Sequence, residues 1–565
     1  MSTSFIQNIK GVEAVLTPKD KKKAYSLFLL SFFSSVFDTL GVALVIPLVN
    51  ILSDFEFLLT FSVINTLYNL TSFSITQFNL LAIILIAIYF TVSTIFKAIV
   101  NYKTRKFIIT REVSISSRLV DIYLYKEYLW IVKSNPSVLV KRVLSEVNHI
   151  IAAGLVPLGG VVNSLLLIVS ISIFLLWVNF FATVVIFSVL IIFYSFVLVI
   201  AKPHLKKAGV ERSKAIENKY KLTNEIFSGF KSIKIDHLES IYSNLNKVYT
   251  LNFTNAQVKA FAISSIPRFA IELLLFMSVI SFVFYVVYAN IDATILAPTF
   301  AVFVVSAVKL LPAIQQLYGS ISGLSFAYES VKEISDELKS PSKSKDFSNN
   351  CNNIGKFHSC SVKNLNFSYN EKNIINDFNL NILQGDKIAV IGPSGCGKST
   401  LIELLLGLIK PKSGEFVLNN TLATAPMYAD FRVAYVPQNI FLYNDTIENN
   451  IVFFREYDEA KLDHVAKITG VDKAFNVHNS DKCLKTNIGE GGLRISGGQR
   501  QRIGIARAMY GNPEILILDE STSAIDEKNE SMIIDNLLLL GNDLTLLFIT
   551  HNSSIILDFD KVIEL

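Results

Sequence analysis

From Ile151 to Ala201 the chain carries no Asp, Glu, Lys or Arg. At 1.5 Å per residue this stretch makes about 76 Å of helix, against about 30 Å of bilayer hydrocarbon. A soluble domain does not bury an uncharged helix of that length. Two membrane crossings joined by a tight turn near Asn179 accommodate it, so this segment alone commits the chain to a membrane. Apolar runs near 24–51, 79–101, 152–177, 180–201, 269–289 and 293–312 extend the pattern to six crossings. The bulk composition agrees: 51% of the 565 residues are hydrophobic and 42 are Phe, more than a soluble globule carries.

Orientation follows from Lys and Arg, which gather on cytoplasmic loops. With the N-terminus inside, the external loops 52–78, 178–180 and 289–293 contain neither residue. The internal segments 102–150 and 202–268 hold Lys103, Arg105, Lys106, Lys141, Arg142, Lys206, Lys207 and Lys214. Both termini are therefore expected in the cytoplasm of a multi-pass protein, and both internal segments are expected to prolong the membrane helices. The external stretch Phe55–Leu70 is apolar but short. It reads either as a helix lying in the outer interface or as a loop helix packed on protein. The net charge of +5 comes largely from flanking clusters such as Lys19, Lys21, Lys22 and Lys23, which give no stripe for nucleic acid. The N-terminus is polar for more than 20 residues and shows no signal peptide. The four cysteines, Cys351, Cys360, Cys396 and Cys483, form no CxxC pair and have no His at zinc spacing; they are expected to be reduced and structural.

After Ser340 the texture changes. Pro341–Asn353, rich in Ser, Lys and Asn, reads as a linker, and from about 356 short strand-like runs alternate with helical patterns. The expected organisation is an α-helical membrane domain over 1–335, a linker over 336–355 and an α/β domain over 356–565.

The run Gly392-Pro393-Ser394-Gly395-Cys396-Gly397-Lys398-Ser399-Thr400 fits G-x-x-x-x-G-K-[ST], with an apolar strand before it and a helix pattern after it. Such a turn aims backbone N–H groups and a helix N-terminus at phosphate oxygens. Lys398 is placed to reach the β- and γ-phosphates and Ser399 to hold Mg²⁺, which makes ATP the expected ligand. Downstream, Ile515–Leu518 is a hydrophobic strand that ends in Asp519 and Glu520. Asp519 suits a Mg²⁺ shell, and Glu520 suits the base or positioner of an attacking water.

Between these lies Ile495-Ser496-Gly497-Gly498-Gln499, which resembles the ABC ATPase signature Leu-Ser-Gly-Gly-Gln with Ile in first place. Further marks follow in the family's order. Tyr369 resembles the aromatic that stacks on adenine, and Gln438 the glutamine that contacts Mg²⁺ and the membrane domain. Gly489-Glu-Gly-Gly resembles the segment touching the partner's coupling helices, Ser523-Ala-Ile-Asp526 the D-loop, and His551 the switch histidine. The resemblance implies that Glu520, His551 and Lys398 carry catalysis. It implies that Ser399, Gln438 and Asp519 hold the metal. It also implies that Ser496, Gly497, Gly498 and Gln499 complete the ATP site of a second copy. With Glu520 and His551 both present, a symmetric homodimer is expected, a heterodimer remaining open. The sequence ends at Leu565, soon after the strand that follows His551, where the family has a further strand and tail.

The membrane half resembles the exporter-type, domain-swapped six-helix fold, with coupling helices expected near Tyr128–Lys133 and Phe230–His237. More closely, Phe37–Pro47, Ser53-Asp-Phe, Lys206–Val210, Ile266-Pro-Arg268 with Glu272, and Leu311-Pro312 resemble the PglK-type flippases, which turn over lipid-linked oligosaccharides in bacterial N-glycosylation. The resemblance implies a bacterial inner-membrane transporter moving a lipid-linked glycan or similar anionic amphiphile outward. Export of peptides or hydrophobic small molecules is the alternative. A soluble ABC ATPase is excluded by the apolar spans, and a gated channel is disfavoured by the complete catalytic set. Lys97, Arg268 and Lys309 lie in or at the ends of apolar spans, where a cation costs about 2.5–3.5 kcal/mol. Either they face a cavity that takes an anionic head group, or they snorkel or pair with Asp38 and Glu272.

Overall fold

The computed structural model describes residues 11–53, 66, 68, 74–288, 293–339, 356–369, 372–422, 431–475, 484–550, 556 and 559–565, except 13, 394, 521, 523, 524 and 526. Some side chains inside helices are also outside this set. The 341–353 linker, nearly all of Phe55–Leu70, and Ser394, Ser523, Ala524, Asp526, His551, Cys351 and Cys483 lie outside the described residues. Contacts divide the chain into two units: Met1–Leu124 with Lys133–Ser342, and Tyr125–Val132 with Lys343–Leu565.

The first unit is helical. Helix α1 (Pro18–Ala43) begins where the Thr17 hydroxyl accepts the Asp20 N–H and the Asp20 carboxylate accepts from Thr17 in return. Then come α2 (Val45–Ser53), α3 (Ile75–Ile109) and α4 (Arg111–Leu124), followed by the one-and-a-half-turn α5 (Tyr128–Lys133), which up to Val132 belongs to the second unit. Helix α6 (Pro136–Val178) includes two π turns, Lys141–Glu146 and Ile151–Leu155. It is followed by α7 (Phe180–Ser228), α8 (Phe230–Ile235), α9 (Glu239–Tyr288), α10 (Ala293–Phe326) and α11 (Tyr328–Lys339). The uncharged run breaks at Asn179, as its length requires. Asn179 takes an extended conformation, its side-chain oxygen accepts the Ala182 N–H, and the Thr183 hydroxyl donates back to Leu175 O. One residue therefore ends one crossing and caps the next.

Among the described residues, five helices are long and apolar enough to cross a membrane. The sixth expected crossing, 269–289, falls at the end of α9, where many side chains are outside the described set. Helices α7 and α9 have 49 and 50 residues, which is about 75 Å each and far more than a bilayer needs. On α7, Phe181, Ile192 and Val199 are at least 70% exposed, an apolar surface of the kind a membrane span turns to lipid or to another chain. Inside, Val42, Ile171, Leu175, Val302 and Leu310 join α1, α6 and α10. At Gly209 a Cβ would stand 2.2 Å from the Phe326 carbonyl oxygen, so α7 and α10 approach backbone to backbone there.

A buried ionic cluster ties α6, α7 and α11 together. Arg212 grips Glu146 at 3.1 and 3.3 Å; Lys141, 1% exposed, reaches Glu333 at 3.2 Å and Glu217 at 3.5 Å. Arg142 pairs with Glu333 and Glu337, both at 2.7 Å.

The second unit carries two sheets. The antiparallel one has strand order β2 (Lys372–Leu383), β1 (Ser359–Tyr369), β4 (Ser413–Leu418), β5 (Thr421–Leu422). The parallel one runs β6 (Val433–Val436), β7 (Ile515–Asp519), β8 (Thr545–Ile549), β3 (Lys387–Ile391), β9 (Lys561–Glu564). Strands β7 and β8 are buried at every residue, which is why they read as unbroken apolar runs. Their neighbours include α12 (Lys398–Leu405), α13 (Ile447–Val452), α14 (Glu459–Thr469), α15 (Gly497–Tyr510) and α16 (Glu527–Leu538). Strand β9 pairs with β3 and forms the sheet edge at the end of the sequence, where the Leu565 N–H donates to Ile391 O.

Candidate functional site

Strand β3 delivers the chain to the glycine-rich turn at the carboxyl end of the parallel sheet, where open α/β sheets bind ligands. Gly392, Gly395 and Gly397 take φ of 152°, 84° and 115°, values that side chains resist. Gly397 is also sterically confined, since a Cβ there would meet Ile374 at 2.8 Å. It opens α12, so the N-terminus of that helix faces the turn. The side chain of Lys398 is buried and bends back over the turn, donating to the carbonyls of Gly392 (2.7 Å) and Pro393 (3.1 Å).

One strand beyond β8, β7 ends in Asp519, in register with Ile549. The Ser399 hydroxyl and the Tyr435 hydroxyl (3.1 Å) both donate to the Asp519 carboxylate. Burial pushes its pKa above the usual carboxylate value, and the Glu520 charge adds to the rise. Glu520 has φ of +44°, a left-handed conformation unusual for a side-chain-bearing residue, and its N–H donates to Ile549 O at 3.2 Å. Gln438 donates its amide to Glu520 Oε2 at 2.9 Å. Lys398, Ser399, Gln438, Asp519 and Glu520 thus gather around one turn. Among the described residues there is no cluster of three His, Cys, Asp or Glu for a metal. One carboxylate, a hydroxyl and an amide fit Mg²⁺, which binds few protein oxygens and completes its shell with phosphate and water.

Ser496 caps α15: its hydroxyl accepts the Gln499 N–H (3.2 Å), and Gln499 Oε1 accepts the Ser496 N–H (3.0 Å). Gln499 also donates to Ala474 O at 2.9 Å. Ser496 and Gly497 are exposed at this helix N-terminus, with Gly498 half-buried behind them.

The family description "ABC transporter transmembrane region" matches residues 23–311, just over half of the chain, and "ABC transporter" matches residues 375–523. The chain belongs to the ABC transporter family. This ABC exporter is 29% identical over 421 residues to an export ATP-binding/permease protein of Rickettsia prowazekii, covering 71% of this chain and 70% of that one. It is 38% identical over 219 residues to a protein of Colwellia psychrerythraea named ATP-dependent lipid A-core flippase 1, over 36% of each chain. A solved structure of a bacterial Atm1-family ABC exporter with ATP bound shares its fold, with a TM-score of 0.77 at 18% identity over 96% of this chain and 93% of that one. The fold is a helical exporter-type membrane domain joined to an α/β nucleotide-binding domain, and the exporter is an ATP-hydrolysing transporter.

Two residues of the exporter's nucleotide-binding unit went unread in the sequence. Glu403 accepts from the Tyr369 hydroxyl (Oε2, 3.2 Å) and from the Tyr128 hydroxyl of α5 (Oε1, 3.1 Å). It bridges the aromatic expected at adenine to the segment Tyr125–Val132 that this unit takes up. Burial raises both tyrosine pKa values, and Glu403 adds to each. Its sequence signal is faint: a lone acid in the otherwise apolar end of α12. Tyr435, the partner of Asp519, has no signal beyond strand periodicity. Cys360 and Cys396 carry no disulfide, and burial lifts the Cys360 thiol to about 12, which makes it unreactive.

In the membrane unit, Lys97 and Lys309 line a cavity of about 220 Å³ together with Asp38, Ser164, Asn163 and Gln316. Both lysines pair with Asp38, at 2.6 and 3.0 Å. Arg268 does not line it; it is 59% exposed and pairs with Glu272 one turn on, at 2.8 Å. The two lysines thus line the cavity and pair with Asp38, while Arg268 pairs with Glu272 away from it.

Proposed function

We propose that this exporter is an ATP-driven flippase that moves a lipid-linked oligosaccharide, or another amphiphile with an anionic head, from the cytoplasmic leaflet of a bacterial inner membrane outward. The observation that carries the reading is the cavity at Lys97 and Lys309, where two cations and one carboxylate leave a net positive charge among Ser and amide side chains. Ionisable groups in a membrane domain are costly and mark transport pathways. The flippase name of the Colwellia relative agrees with the proposal.

In this reading residues 1–335 form the membrane domain, whose last helix α11 runs on to Lys339, the remainder to 355 is the linker and 356–565 the ATPase, with both termini cytoplasmic. Two copies form a homodimer. Phosphates lie on the turn Gly392–Thr400, gripped by its N–H groups and Lys398, with Tyr369 against adenine and His551 at the γ-phosphate. Ser496, Gly497, Gly498 and Gln499 of the second copy close the site. Ser399, Asp519 and Gln438 would hold Mg²⁺, which would supply positive charge against the phosphates. Glu520 orients the attacking water and accepts its proton, and the Gln438 amide on Oε2 fixes the carboxylate for that task. Helices α5 and α8 act as the coupling helices.

The test uses liposomes holding the purified exporter, a fluorescent lipid-linked oligosaccharide and ATP. Wild type moves the probe, and Glu520→Gln loses turnover and flipping by about 10²–10⁴-fold. Equal probe movement by the two proteins rules the reading out.

A further inference from the structure

Asp38 stands in the cavity with each carboxylate oxygen taken by a different lysine: Oδ2 by Lys97 of α3 and Oδ1 by Lys309 of α10. It is 6% exposed, whereas the lysines are 49% and 36% exposed, so the anion is the enclosed member and the cations face the open volume. An ammonium has three N–H donors, and Asp38 takes one from each. A second feature of the same cavity points to a ligand. The Ser164 hydroxyl of α6 lines it, is 2% exposed and has no hydrogen-bond partner among the described residues. A buried hydroxyl left unpaired costs about 1–3 kcal/mol and calls for a partner that arrives from elsewhere.

We propose that Asp38 is the specificity-determining residue of this cavity: a resident counter-ion that an incoming head group must outcompete for Lys97 and Lys309. The inference rests on the anionic-substrate reading and deepens it. A phosphodiester with a single negative charge offers the lysines no more than Asp38 already does. A diphosphate brings more charge and more acceptor oxygens, engages both lysines bidentately across the gap, and has oxygens to spare for the Ser164 hydroxyl. Asp38 thereby sets a charge threshold. That threshold matters because a bacterial membrane presents monoanionic phosphodiester lipids in large excess over any diphosphate-linked substrate.

The full-length exporter, in nanodiscs of neutral phosphatidylcholine, is titrated with undecaprenyl diphosphate, phosphatidylglycerol and uncharged undecaprenol, and binding is read directly by native mass spectrometry. Wild type binds the diphosphate about tenfold or more tighter than phosphatidylglycerol. In Asp38→Asn the competitor is gone and the affinity for phosphatidylglycerol rises about tenfold. Asp38→Glu keeps the charge and keeps the discrimination. Ser164→Ala weakens the diphosphate severalfold and leaves phosphatidylglycerol unchanged. Should Asp38→Asn fail to fold with its two uncompensated lysines, the double variant Asp38→Asn with Lys309→Gln restores the wild-type net charge while removing the competitor. Competition predicts that it too gains phosphatidylglycerol, and a pure net-charge effect predicts no change. Phosphatidylglycerol binding that stays at the wild-type level in either Asp38→Asn background overturns the inference alone. A wild type that binds undecaprenol as well as the diphosphate overturns the anionic-substrate reading and the inference with it.

Discussion

Burial drives the Asp519 carboxyl above its ordinary value of 3.8, and the neighbouring Glu520 charge pushes the same way, although Tyr435 and Ser399 donate to it. The folded chain therefore holds that proton more tightly than the unfolded one. Between the ordinary value and the raised one, stability falls as pH climbs. Asp519→Asn removes the charge. The nucleotide-free protein is expected to melt about 2–4 °C higher for each kcal/mol recovered, with a flatter dependence on acid pH, while Mg²⁺-dependent ATP turnover is lost. Calorimetry across pH beside a turnover assay checks both; a variant that melts lower at neutral pH contradicts the argument. Glu520 pays a similar tax in its backbone, since its left-handed φ costs about 1–3 kcal/mol at a place where chemistry fixes the geometry. At this scale the sequence told most where residues adjoin in the chain. Ser399 and Asp519 were named by motif, whereas Glu403 and Tyr435 earn their places from contacts across 34 and 84 residues.

Among the elements, α6 shows how far local pattern reaches. Its C-terminal break at Asn179 follows from length and charge alone. Its two π turns do not, because a widened turn is imposed by what packs against it. One of them, Lys141–Glu146, carries the ion cluster that holds α6 to α7 and α11. In sequence Lys141 and Arg142 are ordinary cytoplasmic charges that serve only as a topology signal, and Glu146 carries no signal. Folded, Lys141 and Glu146 are among the most buried groups of the unit. Glu146→Ala leaves Arg212 and Lys141 without their shared anion, and the loss is expected to be about 3–5 kcal/mol. Thermal unfolding in detergent reads this as a large fall in melting temperature. A change under about 0.5 kcal/mol, the level of an ordinary surface substitution, shows that the cluster is not holding the helices.

For the whole molecule, the proposed dimer makes a prediction that a self-sufficient chain does not. Lys398→Ala and Ser496→Ala each inactivate both sites of their own homodimer. Co-expressed with two tags and purified through both, the mixed dimer keeps one intact site, and turnover returns to roughly half of the wild-type rate. No recovery means that each chain completes its own site. The sequence by itself determined the membrane commitment, the α/β domain and the nucleotide turn, because apolar length, strand burial and the G-x-x-x-x-G-K-[ST] spacing are properties of contiguous residues. Only the tertiary structure decided that Lys97 and Lys309 share Asp38 and that Arg268 stands apart. It also decided that Glu403 joins Tyr369 to Tyr128, and that the charges at 141, 146 and 212 lie inside. A side chain's partner across two helices depends on rotation and register, which no local pattern of residues encodes.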